Sequence, residues 1–160
     1  MKLLHPIFML GFIFWLYKQR SLGMSLLDRH GRIAGDEADA ETSRATHRFW
    51  GMILTGYCFA GLIGGAVMTG MVYPEIVVPF GQTYGHGYIG TLGFGCLVMS
   101  MVLGFSIKRV VKPKIRERFV SFHTNMIFLI AAFAVLSLLT GAGILVFGPS
   151  QVVTQIQVTP

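Results

Sequence analysis

The chain has 160 residues, 53% of them apolar and 12% charged, with a net charge of +6 and a mean hydropathy of +0.64. A soluble domain carries about 25% charged residues, because its surface faces water. Here residues 3–17, 49–74, 76–107 and 119–160 hold no Asp, Glu, Lys or Arg, and uncharged apolar runs of about 18–20 residues cross a bilayer as helix, so a soluble enzyme, a nucleic-acid binder and a disulfide scaffold are excluded.

The runs predict an all-α integral membrane protein, an antiparallel four-helix transmembrane bundle in one domain over residues 1–148. Helix one is expected over 3–20, with Pro6 tolerated in its first turn. No small-x-small cleavage site follows Trp15-Leu16-Tyr17-Lys18, so the segment reads as a retained helix and not a signal peptide. Residues 31–46, which hold Asp36-Glu37-Ala38-Asp39-Ala40-Glu41, read as a solvated loop with a short surface helix. Helix two is expected over 46–72, ended by Tyr73-Pro74, and helix three over 84–107. Pro113 falls in a basic loop before helix four, expected over 118–147 and stopped by Gly148-Pro149. The polar tail, 149–160, reads as external, and no sequence repeat stands out.

Charge orients the chain. Six of the 13 Lys and Arg lie between Lys18 and Arg48 and six between Lys108 and Arg118, whereas the connection from Met71 to Gln82 carries only Glu75. Short loops rich in Lys and Arg stay on the cytoplasmic side. Loops 21–45 and 108–117 are therefore expected to be cytoplasmic, or stromal in a thylakoid, with both termini outside (N-out/C-out). A bacterial inner membrane would serve equally. Trp15, Trp50 and Tyr73 suit interfacial anchors. Cys58 and Cys96 sit mid-segment as small packing residues, and no Cys-x-x-Cys-His is present for covalent haem.

Of the five histidines, His30 falls in the polar loop, and the other four fall one to a helix: His5, His47, His86 and His123. Each lies near the N-terminal end of its helix. Alternating helix direction then puts His5 and His86 at the outer level and His47 and His123 at the cytoplasmic level. Polar groups inside a bilayer are costly and usually face the bundle interior. On a helix, positions +14 and +18 return to the same face about 21–27 Å further along. From His47 these are Gly61 and Gly65, from His86 Ser100 and Gly104, from His123 Ser137 and Gly141, and from His5 Gln19 and Gly23, a partial match, so both positions are small in three of the four helices. Each histidine face thus becomes small at the depth of the other pair, which leaves room for a flat macrocycle. Gly51 and Gly90 add room one turn after His47 and His86. A lone intramembrane histidine could equally be an interhelical hydrogen-bonding residue, and glycines in membrane helices often serve close packing. The conjunction of matched depths and small positions favours two bis-histidine haems. Two neutral imidazoles fill both axial positions of a haem iron, which suits one-electron transfer and not substrate binding. Arg48, Arg116 and Arg118 are placed to pair with haem propionates.

The pattern resembles the four-helix core of the cytochrome b-561 family over residues 3–147. In that family helices one apart in sequence ligate one haem and the interleaved pair the other. The resemblance implies His5 with His86 at the outer haem and His47 with His123 at the cytoplasmic one, with two haem b per chain. Standalone members of that family usually have six helices and this chain has four, so no substrate site carries over. His5-Pro6 and Tyr84-Gly85-His86-Gly87 are also similar to a four-helix family of cyanobacteria and plastids. The expected function is a di-haem carrier of electrons across the membrane, a cytochrome b-561-like oxidoreductase. Its partners are the lipid bilayer, an unidentified electron donor and acceptor, and other membrane redox subunits or a second copy of the chain. The alternative is a non-enzymatic structural or assembly protein that holds one haem, or chlorophyll, in a membrane complex. A transporter using the histidines as relay ligands is disfavoured by the lack of intramembrane carboxylates.

Overall fold

The computed structural model describes residues 3–27, 37–73 and 83–148, with backbone alone at 37–40. The described residues are all-helical apart from turns, in four helices: α1 (Leu4–Met24), α2 (Glu37–Val72), α3 (His86–Ile107) and α4 (Pro113–Phe147). Three of them, α2, α3 and α4, are long and apolar enough to cross a membrane. α1 has the length, but Lys18, Gln19 and Arg20 fall within it and lower its hydropathy. Outward side chains such as Leu92, Val102, Phe128 and Leu139 are exposed and apolar, the surface expected of a helix that faces hydrocarbon.

The helices alternate short and long, with 21, 36, 22 and 35 residues. At 1.5 Å per residue, the long ones reach about 54 Å and outrun a hydrocarbon core of about 30 Å. The loop expected at 31–46 is thus helical from Glu37 onward, continuous with the membrane segment. Ala and Glu are good helix formers even when their polarity mimics a loop. Pro113, expected in the basic loop, instead begins α4, where its missing N–H costs nothing. α3 starts two residues later than expected. Tyr84 and Gly85 take positive φ (52° and 73°), and His86 N–H bonds Thr83 O at 2.8 Å, so the turn delivers His86 as the first helical residue. His30 and the tail 149–160 lie outside the described residues.

Neighbouring helices pack in the order α1 on α2, α2 on α3 and α3 on α4, with a slighter α4–α1 contact. The diagonals, α1 with α3 and α2 with α4, make no backbone approach among the described residues. At mid-length the interior is filled by Phe12, Leu16, Leu54, Cys58, Leu97, Met126 and Ile130. Above and below that layer the diagonals stay open, as two cavities of about 340 and 230 Å³. Each far exceeds the space for one water. Ile130, only 3% exposed, lines both and separates them.

Candidate cofactor site

The open diagonals are where the four histidines meet. His5 of α1 faces His86 of α3 with ring centroids 6.0 Å apart and planes at 88°. His47 of α2 faces His123 of α4 at 6.1 Å and 87°. Two imidazoles on opposite sides of one metal ion, each nitrogen about 2 Å from it, have centroids about 6 Å apart, since each centroid lies roughly 1 Å behind its nitrogen. Both pairs have the centroid separation that two imidazoles sharing one metal ion would need. Among the described residues no three His, Cys, Asp or Glu side chains cluster as a metal site; the histidines meet in twos.

Glycine shapes both pairs. A Cβ at Gly65 would lie 2.9 Å from His5 Cε1, and one at Gly23 would lie 2.9 Å from His47 Cε1. Likewise a Cβ at Gly104 would sit 3.3 Å from His123 Cε1, and one at Gly141 would sit 3.2 Å from His86 Cε1. Each glycine stands 18 residues after the histidine of its own helix and receives the imidazole of the next helix. The sequence pattern suggested that these positions make room for a macrocycle. In the structure the first thing they accommodate is a ring of the neighbouring helix. The other small positions divide further. Gly61 is met by Met9, Gly90 by Leu62 and Gly51 by Gln19, although all three still line the cavities. Ser100 and Ser137 remain in the cavity walls.

This reciprocity exposes an internal repeat that sequence inspection missed. His5 is the second residue of α1 and His86 the first of α3, whereas His47 and His123 are each the eleventh of a long helix. α1–α2 and α3–α4 are two versions of one short-long helix pair, each with crossed His–Gly contacts. The signal in the sequence is one offset, His to Gly at +18 in all four helices. The residues between differ from helix to helix and hide it.

Three of the four rings are held at Nδ1. His123 Nδ1 lies 2.8 Å from Ser100 O and 3.2 Å from Ser100 Oγ. His86 Nδ1 lies 3.1 Å from Thr140 Oγ1, whose hydroxyl donates to Leu136 O at 2.8 Å. Gln19 reaches His47, its Nε2 2.7 Å from His47 O and 3.1 Å from Nδ1. Thr140 and Gln19 were not among the expected holders. Such second contacts fix ring orientation in metal-binding histidines.

Charge separates the two cavities. The one around His47 and His123 is lined, among the described residues, by Arg20, Arg44, Arg48, Lys108 and Arg116 against Glu41. The one around His5 and His86, with Gly61, Gly65, Ser137 and Gly141, has no charged side chain among its described walls. Glu41 draws three of the cations, Arg48 at 3.0 Å, Lys108 at 3.2 Å and Arg44 at 3.5 Å. Arg48 is therefore committed to a carboxylate of the protein itself. Arg116 is different, because its Nε is buried with no hydrogen-bond partner among the described residues. Arg118 does not line the cavity. No known protein family, curated protein or solved structure matches the chain.

Proposed function

We propose that the chain is a di-haem b-type electron carrier of the membrane, with His5 and His86 as the axial ligands of one haem and His47 and His123 as those of the other. The observation that carries the reading is the pairing of imidazoles across both open diagonals, at 6.0 and 6.1 Å. Haem would supply a one-electron iron couple. The protein's part would be to supply two imidazoles to each iron, which would leave no coordination site for a substrate. Glycines at 23, 65, 104 and 141 seat the rings, and Ser100 and Thr140 orient two of them. Arg116 offers an unpaired N–H to a carboxylate in the cationic cavity.

In this reading α1 joins the three apolar helices in an antiparallel, multi-pass bundle with termini outside. The contacts of early residues with late ones support it: His5 with Gly65, His47 with Gly23, His86 with Gly141 and His123 with Gly104. The Lys and Arg of the two loops favour a cytoplasmic or stromal side for His47 and His123. An electron donor and an acceptor on opposite faces, or companion redox subunits, complete the path.

The deciding experiment is a dithionite-reduced minus oxidised spectrum of detergent-purified protein, quantified as pyridine haemochrome. Two haems per chain with a b-type α band are expected. A folded preparation free of haem, or one that yields chlorophyll on pigment extraction, overturns the reading. A second expectation concerns Arg116. A hydrogen bond to a charged group contributes about 1.5–3 kcal/mol, so Arg116→Leu should weaken retention of one haem about tenfold or more. Haem transfer to an apo-globin acceptor would show one fast and one unchanged phase.

A further inference from the structure

Three of the four histidines have a hydrogen-bonding neighbour at Nδ1, and the neighbour of His47 differs in kind from those of His86 and His123. A carbonyl oxygen only accepts, so the 2.8 Å contact of His123 Nδ1 with Ser100 O places the proton on Nδ1 and leaves Nε2 bare. His86 follows the same rule. The Thr140 hydroxyl hydrogen is spent on Leu136 O, so Thr140 Oγ1 accepts from His86 Nδ1–H. Both rings present a bare Nε2, the form that binds a metal.

His47 is reversed. The Gln19 amide lies 2.7 Å from His47 O, and only its NH2 group can face a carbonyl oxygen at that distance. Its second N–H then points at His47 Nδ1, 3.1 Å away. Nδ1 must accept, which puts the ring proton on Nε2. Meanwhile Gln19 Oε1 is buried with no partner among the described residues, a costly state for an acceptor. Gly51 leaves the space in which this amide lies, since a Cβ there would sit 3.1 Å from Gln19 Nε2.

We propose that Gln19 is a positioning residue that holds His47 in the tautomer unable to ligate through Nε2, and that its amide turns away from Nδ1 when the His47–His123 pair takes a metal. The tautomer stands on the hydrogen bonds alone; the coupling to loading rests on the haem reading above. The His5–His86 site, free of such an amide, fills first, and the second site carries the cost of turning Gln19, a reduction of apparent affinity by the fraction of competent state.

The test has two arms. In the full-length chain purified without added haem, nitrogen-15 NMR of labelled histidines should show Nδ1–H tautomers for His86 and His123 and an Nε2–H tautomer for His47. An Nδ1–H tautomer at His47 overturns the proposal, whether or not haem ever binds. In the haem-loaded protein, Gln19→Glu offers His47 Nδ1–H an acceptor with no N–H to compete. Outer-shell changes of this type alter metal affinity about 10–100-fold, and a tenfold preference for ferric iron is ~59 mV. One midpoint potential should fall by about that amount and the other stay fixed. Gln19→Leu, which only removes the amide, should speed loading of the second haem without lowering its potential to the same extent. Two bound haems with both potentials and loading rates unmoved in both variants overturn the coupling. Absence of haem from the parent protein overturns the haem reading instead, and the NMR result still decides the tautomer.

Discussion

Replacing His123 by alanine is expected to leave one haem per chain where the parent protein holds two. Among the described residues the His123 ring is one of two imidazoles at its level, 6.1 Å from His47, and no Cys, Asp or Glu joins the pair as a third group. The other pair is isolated by the mid-length layer of Phe12, Leu16, Leu54, Leu97, Met126 and Ile130, so its cavity should survive. Haem that persists at the damaged site would have one vacant axial position and would bind carbon monoxide, which the parent should not. Pyridine haemochrome counts the loss, and a carbon monoxide difference spectrum reports the vacancy. His86→Ala should remove the other haem. Two fully six-coordinate haems in H123A would sink the ligand assignment.

The second large effect is expected at a residue with no chemistry of its own. Gly65→Leu places carbon where a Cβ already lies 2.9 Å from His5 Cε1. The ring cannot give way toward His86 without closing the 6.0 Å gap between them, and overpacking of this kind costs about 1–3 kcal/mol. The variant should lose the haem of the His5–His86 pair and keep the other. Gly64→Leu is the control, because a Cβ there meets nothing within 4 Å. Equal haem content in the two variants would mean that the glycine does not seat the ring.

Much of this arrangement could be read from the chain. Charge-free runs and clustered Lys and Arg mark four segments, and helical geometry turns one histidine per segment into two levels. The offset of 18 residues was equally legible. Its meaning was not, because periodicity fixes a face and a height without saying which neighbour occupies it. Gly65 reads the same whether it faces a macrocycle or the His5 imidazole. The extension of α2 back to Glu37 was hidden for another reason: Glu37, Asp39 and Glu41 are polar enough to read as loop, although the segment folds as helix ahead of the membrane run. Gln19 was seen only as a partial match to a small-residue pattern. Its length, which spoiled that match, is what lets it reach His47 from the next helix. Arg48, which adjacency to His47 suggests as a propionate partner, lines the cavity and also pairs with Glu41, a contact that adjacency does not reveal.

Ile130 and the apolar layer around it have a consequence for energetics. Among the described residues, no carboxylate, amine or imidazole is buried there and Cys58 is the one buried thiol, so the layer offers no chain of such groups to carry a proton alongside an electron. On the proposed function, transfer between the two cavities is therefore a movement of uncompensated charge along the bundle. Crossing a full membrane potential is worth about 2.3 kcal/mol per elementary charge per 100 mV, and the layer would span part of that drop. The ratio of reduced to oxidised haem at the two levels should then shift with applied voltage, so the protein would act as a voltage-sensitive element of whatever redox chain it serves.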